Sequence, residues 1–189
     1  MKDAQKIAAI GAAILVAYAL YRLYRYMDER EFKYFSFAEF DSGATREQIN
    51  DSNYETYFSA QHGNRRLTGS GMENMNPGFI RTLDKIRDEV GFPLVVTSGY
   101  RTPEWNAHVG GVQGSSHTKG VAVDFAAPTE AMRNAITDAA VKHGIKRIGY
   151  GAHKNFIHLD IDPDKTQYTI WNYGTGKGPS AGELWPGIA

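Results

Sequence analysis

Along the first thirty residues the apolar positions follow no surface-helix period. From Ile7 to Leu20 every residue is apolar, Gly or Tyr. Lys2 and Lys6 precede the run, and Tyr18, Tyr21 and Tyr24 interleave with Arg22 and Arg25 at its end. A helix apolar on every side has to bury itself in something other than its own domain. The clean run is fourteen residues, against about 20 for a spanning helix. Extending it to Tyr24, with Arg22 snorkelling to the headgroups, gives about 27 Å at 1.5 Å per residue, and the tyrosines suit an interfacial belt. The expectation is an N-terminal membrane-spanning or membrane-associated helix over residues 1–31. A cleaved signal peptide and an apolar helix buried in a partner or a virion are the competing readings.

Beyond it the pattern becomes that of a globular domain. Phe32, Tyr34, Phe35, Phe37 and Phe40 are too apolar for a free linker, so the domain is placed at residues 32–189. Residues 41–76, rich in Asn, Ser, Gly and Gln, read as a long polar surface excursion, with a short helix where Thr45-Arg46-Glu47-Gln48 offers a capping box. Asn76 and Pro77 then open a helix whose stripe is Phe79, Ile80, Leu83, Ile86 and Val90, and Gly91 ends it. Pro93 to Thr97 predicts a short buried strand. Ser98 to Ser116 predicts a Gly-rich loop with one helical turn at Glu104 to His108. Gly120 to Phe125 alternates as a strand, and Thr129 to His143 is an amphipathic helix closed by Gly144. Arg147 to Gly151, Phe156 to Ile161 and Tyr168 to Tyr173 complete the strands. Helices mixed with strands in no βαβ order predict an α+β fold, a small antiparallel sheet with flanking helices.

Composition narrows the chemistry. With 21 basic and 21 acidic side chains the formal charge is zero, which excludes a basic nucleic-acid footprint. The absence of cysteine excludes disulfides, thiolate nucleophiles and cysteine-ligated metal, so a metal has to sit on His and carboxylate. Alternation places Ala122 and Asp124 on one face of their strand, opposite Val121, Val123 and Phe125. It likewise places His158 and Asp160 opposite Ile157, Leu159 and Ile161. If the two strands are neighbours, His117, Asp124 and His158 converge on one ion. Two His and one Asp make the three-ligand set of a catalytic zinc with an open fourth position. Asp160, Asp162 and Asp164 have the rhythm of a calcium loop but lack the Gly and Glu that such a loop requires. Trp105, Trp171 and Trp185 read as packing residues.

Three ordered segments, SGYRTPEWN, SSHTKGVAVD and FIHLD, resemble the zinc D-alanyl-D-alanine carboxypeptidase family, which is related to lysostaphin-type peptidases and hedgehog domains. Ser115, His117, Gly120, Ala122 and Asp124 meet its S-x-H-x-x-G-x-A-x-D pattern, and the FSFAEF segment resembles its phage and bacterial cell-wall branch. The resemblance implies a Zn2+ metallopeptidase acting on peptidoglycan stem peptides or cross-links, with His117, Asp124 and His158 as ligands. It implies that Arg101 contacts substrate or steadies the oxyanion, with bracing of its own loop as the alternative. Relatives carry an acidic residue three positions before the last ligand, where this chain has Asn155, or a His two before it, where it has Phe156. Asp160 is therefore the candidate general base, with orientation of a ligand imidazole as its other role, and His153 is the alternative base. With the anchor, the resemblance places the domain on the periplasmic or cell-wall side of a membrane, or on a membrane-containing virion. Asn155 also leaves open a zinc-containing binding module without turnover, or a structural membrane or virion protein.

Overall fold

Capping residues and glycines set the element boundaries. A computed structural model describes residues 2–29, 32–42, 74–174 and 177–187. Most of the polar excursion, including the helix expected at Thr45, lies outside the described residues. The elements are α1 (Lys2–Glu29), α2 (Pro77–Val90), β1 (Val96–Ser98), α3 (Pro103–His108), β2 (Ala122–Ala126), α4 (Glu130–Lys142), β3 (Arg147–Gly151), β4 (Phe156–Asp160), β5 (Thr169–Asn172) and α5 (Ala181–Leu184). The Asn76 side chain accepts from the Phe79 N–H at 3.0 Å, and Gly91 closes α2 in the left-handed conformation, as their residue types dictate.

The five strands form one sheet in the order β1-β2-β4-β3-β5. One face, built from Val123, Phe125, Ile148, Tyr150, Ile157 and Leu159, packs into the core with Phe79, Ile80, Leu83 and Ile86 of α2 and Ile136 and Ala140 of α4. The two strands that carry Asp124 and His158 are neighbours, which meets the condition for their convergence. Asp124 lies opposite His158 across β2 and β4, and His158 lies opposite Gly149 across β4 and β3. The sheet is not wholly antiparallel: β5 runs parallel to β3 and puts Trp171 opposite Gly149. The segment after Asp160 crosses β3 to reach the free edge, and that crossover fixes the direction of β5.

The aromatic lead packs as expected, with Phe32, Phe35, Phe37 and Phe40 all buried and Phe35 stacked on Phe125 at 5.9 Å. Asp84 of α2 accepts the backbone N–H groups of Lys33 and Tyr34 at 2.8 and 3.0 Å, which clips this segment to the domain.

The N-terminal run is one continuous helix, and Ile7, Ile10, Ile14, Leu15 and Leu20 on it are exposed. Among the described residues, however, no helix is long and apolar enough to cross a membrane, which corrects the spanning expectation. The fourteen-residue run is only about 21 Å long against a hydrocarbon core of about 30 Å. Its extension depends on Arg22, whose guanidinium folds back to Tyr18 Oη at 3.1 Å, into the apolar run instead of away from it.

Gly91 and Gly120 separate two physical costs. Both are left-handed, at φ 72° and 68°, but a Cβ at 91 meets nothing within 4 Å, whereas at 120 it would sit 1.7 Å from the Asn74 carbonyl oxygen. Gly91→Ala is expected to lose only the conformational term of about 1–2 kcal/mol. Gly120→Ala is expected to lose clearly more than Gly91→Ala, because the backbone has to move as well. Paired denaturant titrations of the two variants check the difference.

Candidate metal centre

The sheet face opposite the core carries the site. Ser98, Asp124, His158, Gly149 and Trp171 form a continuous row across all five strands. His117 enters from the side on a single 3-10 turn, Ser116–Lys119. Ser115 caps that turn and left-handed Gly120 ends it. The structure brings His117, Asp124 and His158 together: one ligand atom from each lies within 4.8 Å of the other two, and all three residues are buried. His117 Nε2 is 3.2 Å from His158 Nδ1 and 3.4 Å from Asp124 Oδ1, and His158 Nδ1 is 2.8 Å from Asp124 Oδ1. Tetrahedral coordination with legs of about 2.0–2.1 Å puts ligand atoms about 3.3 Å apart. The donor set and its spacing therefore fit a divalent ion, with a small opening of the His158–Asp124 edge.

Each of these side chains is held at its other end. His117 Nδ1 donates to the Gly99 carbonyl at 2.7 Å, which leaves Nε2 as the lone pair. Asp124 Oδ2 accepts from Arg101 at 3.0 Å, which leaves Oδ1. His158 Nε2 lies 3.1 Å from Asp160 Oδ2, so its N–H donates there and Nδ1 is free. Bonds of this kind fix tautomer and ring direction and raise ligand basicity. Burial holds His117 below the usual imidazole value, against the pull of Asp124. Burial also works against charge on His158, but Asp124 and Asp160 outweigh it and raise that ring's proton affinity. Burial would raise Asp124, yet His117 and His158 bring it far below the usual carboxylate range. A cation held there would compete chiefly with the proton of the His158 ring, whose proton affinity is the one raised.

The supports are themselves supported. A Cβ on Gly99 would lie 2.3 Å from the Phe40 carbonyl oxygen, and the Gly99 N–H donates to Ser42 Oγ at 2.9 Å. The aromatic lead therefore positions the carbonyl that orients His117. Arg101 also donates to Ser98 Oγ at 2.8 Å. Asp160 Oδ1 accepts from Arg147 Nε at 2.8 Å and from the Asp162 N–H at 3.0 Å. Asp162, fully buried, accepts from Ser116 Oγ at 3.0 Å and pairs with Lys119 at 2.9 Å, tying down the His117 turn. The acidic triplet that has the rhythm of a calcium loop thus serves as a chain of acceptors.

Arg101 and Asp160 line the cleft and at the same time back Asp124 and His158. Asp160 is 1% exposed and its oxygens are taken by His158, Arg147 and a backbone N–H. His153 is exposed and does not line the cleft. The cleft, of about 550 Å³, is bounded by the three ligand residues, Val109 and Val112 on one side, Lys154 and Phe156 on another, and Trp171 and Tyr173 from β5. Sequence reasoning missed Arg147, Asp162 and Tyr173, and it read Trp171 as packing alone. Strand alternation carried part of the signal: it separates Arg147 from Ile148 and Tyr150 and groups Trp171 with Tyr173, and the register then turns them to the site face. Trp105 and Trp185 do pack, at 5% and 8% exposure.

Asp160→Asn tests the arrangement. An amide that keeps its oxygen toward Arg147 turns its NH2 toward the His158 N–H. Relief of that clash moves the ring proton to Nδ1 and blocks the lone pair. The expected result is a loss of about 10- to 100-fold in divalent-ion affinity, read by competition with a chelating dye.

The sequence model of the Peptidase M15 family matches residues 50–160, a span that includes Arg101, His117, Asp124, His158 and Asp160. Among curated proteins the chain is similar to the peptidoglycan L,D-endopeptidase MepK of Escherichia coli K12 and to that of Shigella flexneri. Each is 29% identical over 116 residues, covering 58% of this chain and 63% of the relative. The chain thus spans less than two thirds of the length of these relatives. Because the matched segment is more than half of the 189 residues and contains the whole buried cluster, the chain belongs to the Peptidase M15 family.

Proposed function

We propose that the chain is a zinc-dependent peptidase that hydrolyses amide bonds in the stem peptides or cross-links of peptidoglycan. The observation that carries this reading is a buried His-Asp-His cluster whose three free atoms open onto a peptide-sized cleft. The activity printed for the MepK relatives supports the substrate class. His117, Asp124 and His158 hold the ion through Nε2, Oδ1 and Nδ1. Zinc bound there supplies an acidified water and polarises the scissile carbonyl.

The remaining residues position. Gly99, Arg101 and Asp160 aim the ligands, Asp162 holds the His117 turn, and Val109, Val112 and Phe156 give the cleft apolar walls. Asp160 acts as an orienting partner of His158 in this reading, not as the general base. Residues 32–189 form the catalytic domain, working at the cell wall, with residues 1–31 as an appendage.

A second reading has one observation in its favour. Both carboxylates that line the cleft, Asp124 and Asp160, are engaged by a cation or a ligand ring, and Asn155 sits in the turn before β4 with its carbonyl accepting from the Ala127 N–H. A zinc-containing wall-binding module without turnover accommodates that. Mass spectrometry of muropeptides after digestion decides between them and names the bond; wall binding without new products supports the module.

Three outcomes are expected. Metal analysis should find one zinc per chain in wild type and a near-complete loss in His117→Ala; equal zinc in both would remove the proposed ligand set. Arg101→Lys should weaken zinc affinity and turnover together by about 10- to 100-fold, because a single ammonium cannot bridge Ser98 and Asp124 as the planar fork does. A chain beginning at Glu31 should keep the specific activity of the full chain, since every supporting contact of the cluster lies after it.

A further inference from the structure

With Arg101 bonded to Ser98 and Asp124, a second group in the cleft is open to meet the charge that develops on the carbonyl oxygen. Lys154 lines the cleft as an exposed ammonium at the rim, and the donors nearer the cluster are engaged. Arg101 bonds Ser98 and Asp124, Arg147 bonds Asp160 and the Thr166 carbonyl, and Ser116 bonds Asp162. Tyr173 differs. It follows Trp171 by two positions on the edge strand and so shares the face of the metal cluster. Its backbone N–H donates to the Tyr150 carbonyl at 3.0 Å, which continues the parallel pairing and fixes where the ring starts.

Gly149 lets that ring lie across the sheet. A Cβ at 149 would be 2.5 Å from Tyr173 Cε2 and 2.9 Å from Trp171, so the missing side chain is the space that the two rings occupy. The Tyr173 ring is edge-on to His158 with centroids 6.4 Å apart, and Phe156 and Trp171 flank it at 5.0 and 6.0 Å. Tyr173 lines the cleft together with His117 and Asp124. Burial pushes its phenol above the ordinary value, with Asp124 adding to that and the Trp171 N–H opposing it.

We propose that Tyr173 is a further catalytic residue, whose phenol O–H donates a hydrogen bond to the oxyanion formed at the scissile carbonyl. The proposal rests on the peptidase reading. In the reaction the water oxygen bonds to the carbonyl carbon, the C–N bond breaks, and water's protons leave with the amine and the solvent. Tyr173 keeps its own proton throughout. A donor aimed at developing charge is worth about 10²–10³ in kcat where such groups have been removed singly, and a phenylalanine ring would serve packing equally well.

The test is Tyr173→Phe in the full chain loaded with zinc, assayed on muropeptides. A second measurement is the affinity of a phosphinate dipeptide built on D-alanine, whose tetrahedral anion resembles the oxyanion state. The expected result is a kcat about 100-fold lower, KM within about three-fold, unchanged zinc stoichiometry and melting temperature, and phosphinate affinity lowered by a factor similar to that in kcat. Wild-type kcat in the variant overturns the proposal. Loss of zinc or of melting temperature alongside activity also overturns it, in favour of a packing role. If the wild-type chain cleaves no muropeptide, the peptidase reading fails; equal phosphinate binding by wild type and variant would then overturn the Tyr173 assignment on its own.

Discussion

The geometry of the cluster depends on bonds made at the ends of the side chains that face away from it. A histidine can offer either nitrogen and an aspartate either oxygen, so three ligand residues in a cleft do not by themselves define three ligand atoms. The Gly99 carbonyl, the Arg101 guanidinium and the Asp160 carboxylate make those choices, at 2.7, 3.0 and 3.1 Å. Each removes one option and leaves the other directed at a common point. Burial strengthens all three interactions, because the same low dielectric that penalises an unpaired polar group sharpens a paired one.

These bonds propagate outward through the fold. Gly99 can face His117 only because it has no side chain to collide with Phe40, and Phe40 is held by the aromatic lead, which Asp84 clips to α2. Asp160 can face His158 because Arg147, opposite it on β3, neutralises it. Asp162, two residues on, repeats the device against Lys119 and Ser116. A buried carboxylate without such a partner would cost several kcal/mol, so the cations and carboxylates form a connected set in which each makes the next tolerable. Stability and metal geometry are therefore coupled in this domain. Changes in the lead segment are felt at His117 although they touch no ligand.

The parallel edge strand adds the side of the cleft that faces the ligands. Strand alternation alone permits Trp171 and Tyr173 to be on the site face or the core face, depending on register. Pairing of β5 with β3 puts Trp171 beside Gly149 in the row of Asp124 and His158. The two glycines on the site face of β3, Gly149 and Gly151, then make room for Trp171 and Tyr173 at the first and Phe156 at the second. An aromatic wall against a metal cluster is thus made from residues missing on one strand and large on its neighbours.

Much of this was legible in local sequence. Caps and glycines marked α2 and α4, because these signals act within four residues. Period-two alternation separated His158 and Asp160 from Ile157 and Leu159, because a strand turns each successive side chain over. The composition left only His and carboxylate to hold a metal, and the order of motifs named three residues that the fold brings together. The N-terminal run does not meet the length and apolarity that a membrane span requires, because its clean apolar stretch ends at Leu20 and its extension has to include Arg22. The roles of Arg101 and Asp160 were not legible. Whether a polar group faces the cleft or the back of a ligand depends on pairing across residues far apart in the chain. The same holds for the direction of β5 and the place of Tyr173. The sequence by itself determined which residues are the candidates for the chemistry, since residue type and local period are properties of neighbours. Only the tertiary structure decided which atom of each residue faces the site, since that is settled by bonds between segments that meet only in the folded chain.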